Sequence, residues 1–222
     1  MTQTKAPVRT VGSLARASAV ASMIGMALLG GAAALTTPAF AQAAPAGIGA
    51  AQEIANKFSS VKTLTGNFVQ FGPRGEQTEG TFYIERPGKI RFNYNKPSPI
   101  RVISDGDSVV INNRKLDTWD LYPLSKTPLK LLLSDQINLS GGRVKSVKQE
   151  PDMTTIVLGD KSVFGNSTIT MMFDPKSYDL RQWTITDAQG LDTTVMITNV
   201  RTGVRFAADM FKIDYTRIAM KK

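Results

Sequence analysis

The chain has 222 residues, 42% of them hydrophobic and 20% charged, which is enough apolar material for one globular core. It contains no cysteine and no histidine, so disulfide frameworks, thiolate or imidazole metal sites, Ser–His triads and imidazole acid–base catalysis are excluded. Basic residues outnumber acidic ones 27 to 18, but they are spread along alternating segments rather than clustered with aromatics, which argues against nucleic acid as a partner.

Residues 1–41 read as a secretory signal. Lys5, Arg9 and Arg16 make a basic start without any acidic residue, Ala17 to Leu35 is apolar, and Ala39-Phe40-Ala41 is a small-x-small cleavage site before Gln42. The other reading is a membrane anchor, because the apolar run approaches spanning length; its alanine and glycine content and the cleavage site favour removal. Three of the 27 basic residues and none of the 18 acidic ones lie in this segment, so cleavage after Ala41 leaves a net charge of +6 and a periplasmic address. No cysteine stands at the junction, so the chain is not itself a lipoprotein. Residues 42–50 are expected to form a flexible tether and residues 51–222 a single domain.

From Ala51 to Val61, the residues Ile54, Phe58 and Val61 recur at spacings of four and three, one face of an amphipathic helix. Leu64 to Phe71 is the first predicted strand, and Gly72-Pro73-Arg74-Gly75-Glu76 the first turn. Gly80 to Gly106 (GTFYIERPGKIRFNYNKPSPIRVISDG) then shows period-two alternation. Phe82, Ile84 and Arg86 share one parity before the proline, and Ile90, Phe92 and Tyr94 share one after it, with Lys89, Arg91 and Asn93 on the side expected to face water. Arg86 is the odd member, a guanidinium on the apolar parity. It is either a strand-end residue that reaches water beside Pro87 or a functional break in the pattern.

Two prolines in Lys96-Pro97-Ser98-Pro99 interrupt the ladder. Ile100 to Ser104 is the next strand, Asp105-Gly106 a hairpin turn, and Ser108 to Ile111 pairs with Leu116 to Tyr122. Ser125 to Leu133 (SKTPLKLLL) breaks the β pattern with a short apolar helix, Thr127 its candidate N-cap and Pro128 its first residue. A helix this short needs an apolar surface to dock on. Strands resume at Arg143–Gln149, Met153–Leu158, Ser167–Phe173, Leu180–Thr186 and Leu191–Val200, with a last strand at Phe211–Tyr215. About ten to eleven strands joined by close turns predict one large antiparallel sheet that must curl to bury a face.

The run Gly80 to Phe92, then Ser104-Asp105-Gly106, together with Leu64-Thr65-Gly66-Asn67-Phe68-Val69-Gln70 and Thr127-Pro128-Leu129, resembles the LolA family of periplasmic outer-membrane lipoprotein carriers over roughly Ala51 to Tyr215. The resemblance implies a mainly β fold, an incomplete antiparallel barrel with an α-helical lid. It implies a cavity lined by Phe68, Phe82, Ile84, Arg86, Ile90, Phe92, Tyr94, Ile100 and Val102 that shields lipoprotein acyl chains. The lid would be formed by Ile54, Phe58 and Val61 of the first helix and Leu129, Leu132 and Leu133 of the second, with Arg86 contacting it. The implied partners are lipoproteins, an inner-membrane ABC-type releasing complex, and an outer-membrane acceptor or the outer membrane itself; the carrier would act as a monomer without cofactors. No Pro-Pro-Gly-type turn follows Tyr215, so the C-terminal extension common in the family is not expected here.

Alternation alone does not separate a cavity from a dry core sealed by the helices. A lipid-binding or envelope-stress-sensing module of the same fold is the alternative function. An enzyme is the weakest reading. Asp105, Asp107, Asp117 and Asp120 could pair as glycosidase carboxylates, but they lie in turns or on solvated parities, and no phosphate loop or metal-ligand spacing is present.

Overall fold

The computed structural model describes residues 46–139, 143–162 and 165–220; the predicted leader and the first part of the predicted tether lie outside this range. The first helix, α1 (Ala46–Ser60), begins within the stretch predicted to be a flexible tether. Alanines favour the helical backbone, and Gly49 is tolerated because it faces open space. No helix among the described residues is long and apolar enough to cross a membrane.

Eleven strands follow: β1 (Thr63–Phe71), β2 (Gln77–Glu85), β3 (Lys89–Tyr94), β4 (Ile100–Asp105), β5 (Ser108–Asn113), β6 (Thr118–Pro123), β7 (Val144–Gln149), β8 (Thr154–Ser162), β9 (Gly165–Phe173), β10 (Leu180–Thr186) and β11 (Asp192–Thr202). They form one antiparallel sheet in the order β6-β5-β4-β3-β2-β1-β11-β10-β9-β8-β7. The two hairpin meanders meet where β1 pairs with β11, and the edges β6 and β7 stay unpaired, so the barrel is incomplete. A flat sheet would hold β3 and β10 about 19 Å apart, at four strand spacings. Yet the rings of Phe92 on β3 and Trp183 on β10 lie 6.1 Å apart, so the sheet is strongly curled. Two glycines permit tight packing on the inner face. A Cβ at Gly66 would stand 2.9 Å from the Phe82 ring, and one at Gly80 would stand 2.9 Å from the Phe68 ring.

The connection from β6 to β7 joins opposite edges of the sheet, so it must cross the open side. It contains a single 3-10 turn (Leu124–Lys126) and α2 (Leu129–Leu132). Thr127 does not cap α2 as predicted. Its hydroxyl donates to the Leu124 carbonyl at 3.0 Å and closes the preceding turn, while Pro128, already in the right-handed helical region, starts the helix without a side-chain cap. β6 begins at Thr118 rather than Leu116 because Asn113 Oδ1 accepts from the Lys115 and Leu116 amides and Asp117 takes a left-handed φ of 52°.

The predicted last strand is not a strand. Residues 208–211 form a turn, 212–214 are irregular, and α3 (Tyr215–Ala219) follows, capped by the Asp214 carboxylate accepting from the Arg217 amide. Phe211 and Ile213 do alternate inward against exposed Lys212 and Asp214, but they pack on the outer face of the sheet without pairing to it. The expectation of no C-terminal extension is corrected with it. Residues after β11 run back over the outer face of β2–β6, where Ile213 and Ile218 join Ile103 and Val110 in a second, smaller core. The outward parity is therefore partly covered, and Arg91, expected to face water, donates to the Met210 carbonyl at 2.9 Å.

Candidate functional site

The main core lies on the concave face. α1 lays Ala51, Ile54, Ala55 and Phe58 on it, and α2 adds Leu131 and Leu132, followed by Leu133 at its C-cap. Val61 and Leu129 are partly buried against the same cluster. Phe68, Phe82, Ile84 and Ile90 are sealed beneath these helices, each no more than 1% exposed.

Toward the end of the sheet that carries the β1–β2, β3–β4 and β5–β6 turns, the concave face is not filled. A groove of about 380 Å³ opens between the two wings, lined by Phe92, Tyr94 and Val102 on one side and by Trp183, Ile185 and Val195 on the other. Val109, Ile111 and Tyr122 extend the lining, and Thr127, Pro128 and Leu129 overhang it. The polar exceptions include Gln70, whose side-chain oxygen accepts from Tyr94 Oη at 2.6 Å; burial pushes the Tyr94 phenol up to about 12, so it stays a donor. Ile100 is half-buried and lies outside this lining. The inward residues of β5, β6, β10 and β11 were missing from the sequence-based lining. The period-two signal was available for each, but nothing local says which strands face one another across a curl.

Arg86 sits at the end of β2, with Phe82 and Ile84 on the inner side, and is 5% exposed. Its guanidinium ties together the ends of two helices. Nη1 donates to the Val61 carbonyl at 2.7 Å, just past α1, and Nη2 to the Leu132 carbonyl at 3.3 Å, at the end of α2. Helix ends carry unsatisfied carbonyls and partial negative charge, so a cation there is favourable. The guanidinium carbon also lies 4.2 Å from the Phe58 ring centroid, within cation–π range. Burial lowers the Arg86 pKa to about 10, so the group is still charged near neutrality. Its Nε is buried without a partner, which makes the contact an incompletely satisfied one.

The same hairpin tip holds the lid through the backbone, since the Gly88 amide donates to the Leu133 carbonyl at 3.0 Å and the Arg86 amide to the Lys62 carbonyl at 2.7 Å. Gly88 takes φ 79° there, and a Cβ would stand 2.8 Å from Gly106 Cα. One lid residue escaped the sequence reading. Gln52 on α1 donates to the Ile137 carbonyl at 2.8 Å and accepts from the Leu139 amide at 2.9 Å, joining α1 to the chain beyond α2.

The four carboxylates considered for catalysis do not form one cluster: Asp105 and Asp107 lie near Tyr215 at the β4–β5 turn, whereas Asp117 lies in the β5–β6 turn and Asp120 on β6. Asp105 accepts from the Asp107 and Ser108 amides and from Tyr215 Oη, Asp117 pairs with Arg217 at 2.8 Å, and Asp120 is exposed on β6. Among the described residues no cluster of three or more potential ligands could hold a metal ion.

Residues 59–214 match the family model described as outer membrane lipoprotein carrier protein LolA. The chain is 26% identical over 162 residues to the outer-membrane lipoprotein carrier protein of Methylococcus capsulatus, covering 69% of this chain and 77% of that one. It is 34% identical over 107 residues to the protein of the same name from Alkalilimnicola ehrlichii, covering 46% and 48% of the two chains. Among solved structures, a LolA superfamily protein from Nitrosomonas europaea superposes with a TM-score of 0.41 at 12% identity, over 74% of this chain and 98% of that one. With a family match that spans all eleven strands of the sheet and α2, the chain belongs to the LolA family of outer membrane lipoprotein carrier proteins.

Proposed function

We propose that this protein is a periplasmic chaperone that carries lipoproteins from the inner to the outer membrane, their acyl chains shielded in the concave groove. The observation that carries the reading is the apolar groove overhung by a lid whose two helix ends converge on one buried arginine. Each methylene removed from water contributes about 0.8 kcal/mol, so long acyl chains need such a shield in transit. At about 380 Å³ the groove has the size of a small-ligand pocket, so several long chains enter only if the lid moves and joins its space to the groove. In this reading residues 1–41 direct export and are removed after Ala41, an inner-membrane ABC-type complex is the donor, and an acceptor at the outer membrane, or the membrane itself, receives the cargo. No catalytic step is involved.

Donor and acceptor environments are as apolar as the groove, so transport turns on small differences between states. Arg86 supplies one. Closing the lid forms its hydrogen bonds to the Val61 and Leu132 carbonyls, and loading breaks them. A charge-assisted bond contributes about 1.5–3 kcal/mol, enough to shift an open–closed balance roughly ten- to a hundredfold. Arg86→Leu keeps an apolar stem and removes every donor, so the loaded state gains. The variant is expected to accept lipoprotein from donor membranes and fail to deliver it, with Arg86→Lys intermediate because it keeps the charge but loses the planar fork. A two-step transfer assay with purified donor and acceptor membranes reads both halves; normal release by Arg86→Leu would remove Arg86 from the mechanism. The alternative, a lipid-binding or envelope-stress module, is separated by mass spectrometry of periplasmic material. Co-purifying acylated protein supports the carrier, and free lipid the alternative.

A further inference from the structure

The outer face of the sheet carries a second concavity. On β1 to β5, Asn67, Thr81, Asn93, Arg101 and Asn112 stand opposite one another, a polar row across five strands. Beside it, where the chain leaves β11 and folds back, lies a cleft of about 720 Å³. Its floor presents Asn67, Thr81 and Tyr83, its rim Asn199, Arg201 and Arg205, and no carboxylate lines it. Phe206 forms an apolar wall, held edge-on against Tyr83 at 5.9 Å and against Phe211 at 5.5 Å. Met210 completes that wall, and its carbonyl accepts from Arg91 Nη1, which links the cleft to the arginines further along the sheet.

The charge there is uncompensated. Arg74, Arg181 and Arg217 each pair with a carboxylate. Arg91, Arg101, Arg114, Arg201 and Arg205 make no ion pair to a described carboxylate, and the hydrogen bonds of Arg91 and Arg114 go to neutral oxygens. Arg101 Nε is buried with no partner. Burial, and then the neighbouring charges of Arg91 and Arg114, lower the pKa of Arg101, as expected where cations face one another without a counter-ion. Forked guanidinium donors beside amide and hydroxyl groups, with no competing carboxylate, match the several acceptor oxygens and full charge of a phosphate.

We propose that this outer-face cleft, rimmed by Arg201 and Arg205 and floored by Asn67, Thr81 and Tyr83, binds a phosphate group carried by a small ligand or a lipid headgroup. It lies on the opposite face of the sheet from the acyl groove and does not depend on the carrier reading. The test uses two probes, sn-glycerol 3-phosphate in calorimetric titration and phosphatidylcholine vesicles with and without phosphatidylglycerol in co-sedimentation. Binding to one or both is expected, weakening as salt rises, and falling about tenfold or more in the Arg201→Ala/Arg205→Ala double variant. The charge-matched Arg143→Ala/Lys145→Ala variant, on exposed residues by the β7 edge, is expected to bind normally. Binding of the soluble probe identifies a free phosphate ligand, and binding only to phosphatidylglycerol vesicles identifies a headgroup. No binding to either probe, equal loss in the control variant, or preference for polyglutamate over both phosphate probes would overturn the proposal. An acyl probe in the concave groove is expected to bind the Arg201/Arg205 variant unchanged, which keeps this outcome distinct from the carrier assay.

Discussion

Phe92 and Ile111 line the same groove but differ in what else depends on them. Phe92 is 5% exposed and packs its ring 4.8 Å from Phe68 and 6.1 Å from Trp183, so a charge there disrupts the core as well as the groove. Ile111 is 37% exposed at the rim, where substitution leaves the packing in place. A carboxylate facing an apolar groove recruits water or protonates. Ile111→Glu is therefore expected to weaken binding of a fluorescent acyl probe about tenfold or more, the equivalent of one lost aliphatic burial, with little change in the thermal midpoint. Lys89→Glu is the opposing control. It stands between Glu85, 2.6 Å away on β2, and Asp105 on β4, on the outer side, so the change sets three carboxylates in a row at a cost of about 1 kcal/mol or less for each like-charge pair and leaves probe affinity unchanged. A larger loss of affinity from Lys89→Glu than from Ile111→Glu would show that the groove is not the probe site.

Among the elements, the lid and the C-terminal segment are held in ways that can be loosened separately. The chain beyond α2 is irregular yet buried at Ile137 and Leu139, so its backbone groups need partners, and Gln52 supplies them. Gln52→Ala leaves the Leu139 amide without its acceptor, at about 1–3 kcal/mol. Exchange of that amide, followed by NMR, is expected to quicken about tenfold or more, and an unchanged rate would show that Gln52 does not hold the lid. The C-terminal segment is latched by Tyr215 Oη donating to Asp105 at 2.7 Å. Burial raises the Asp105 pKa, but the Ser108 amide, the Tyr215 hydroxyl and the Asp107 amide outweigh it, and the net shift is downward. A carboxyl whose folded pKa lies below its unfolded value of about 3.9 contributes stability above that pH and loses it as the pH falls through the folded value. Asp105→Asn is thus expected to lower the urea midpoint at neutral pH, with the gap to the unsubstituted protein closing in acid. A gap of equal size at both pH values would rule out the charge of Asp105 as its origin.

In the whole molecule, one sheet serves two cores. The concave face carries the helices and the groove, and the outer face of β2–β6 carries the returning C-terminal chain. The outer core backs the wing that supplies Phe92, Val102 and Val109 to the groove, so the residues after β11 stiffen one wall of the groove without touching its lining.

The strand series, its turns, the inward side of Phe82, Ile84 and Arg86, and the absence of thiol and imidazole chemistry all followed from the sequence by itself. These properties are local: alternation at period two says which side chains share a face, and proline and glycine say where a ladder stops. Only the tertiary structure decided the pairing of β1 with β11, the approach of Trp183 to Phe92 across the curl, the clasp of Gln52, and the docking of residues 203–220 on the outer face. The Phe211–Tyr215 stretch shows why. An extended segment buries every second side chain whether it joins a ladder or lies across a sheet, so its alternation reads the same in both cases. Which of the two forms depends on the apolar surface offered by Ile103 and Val110, more than ninety residues upstream.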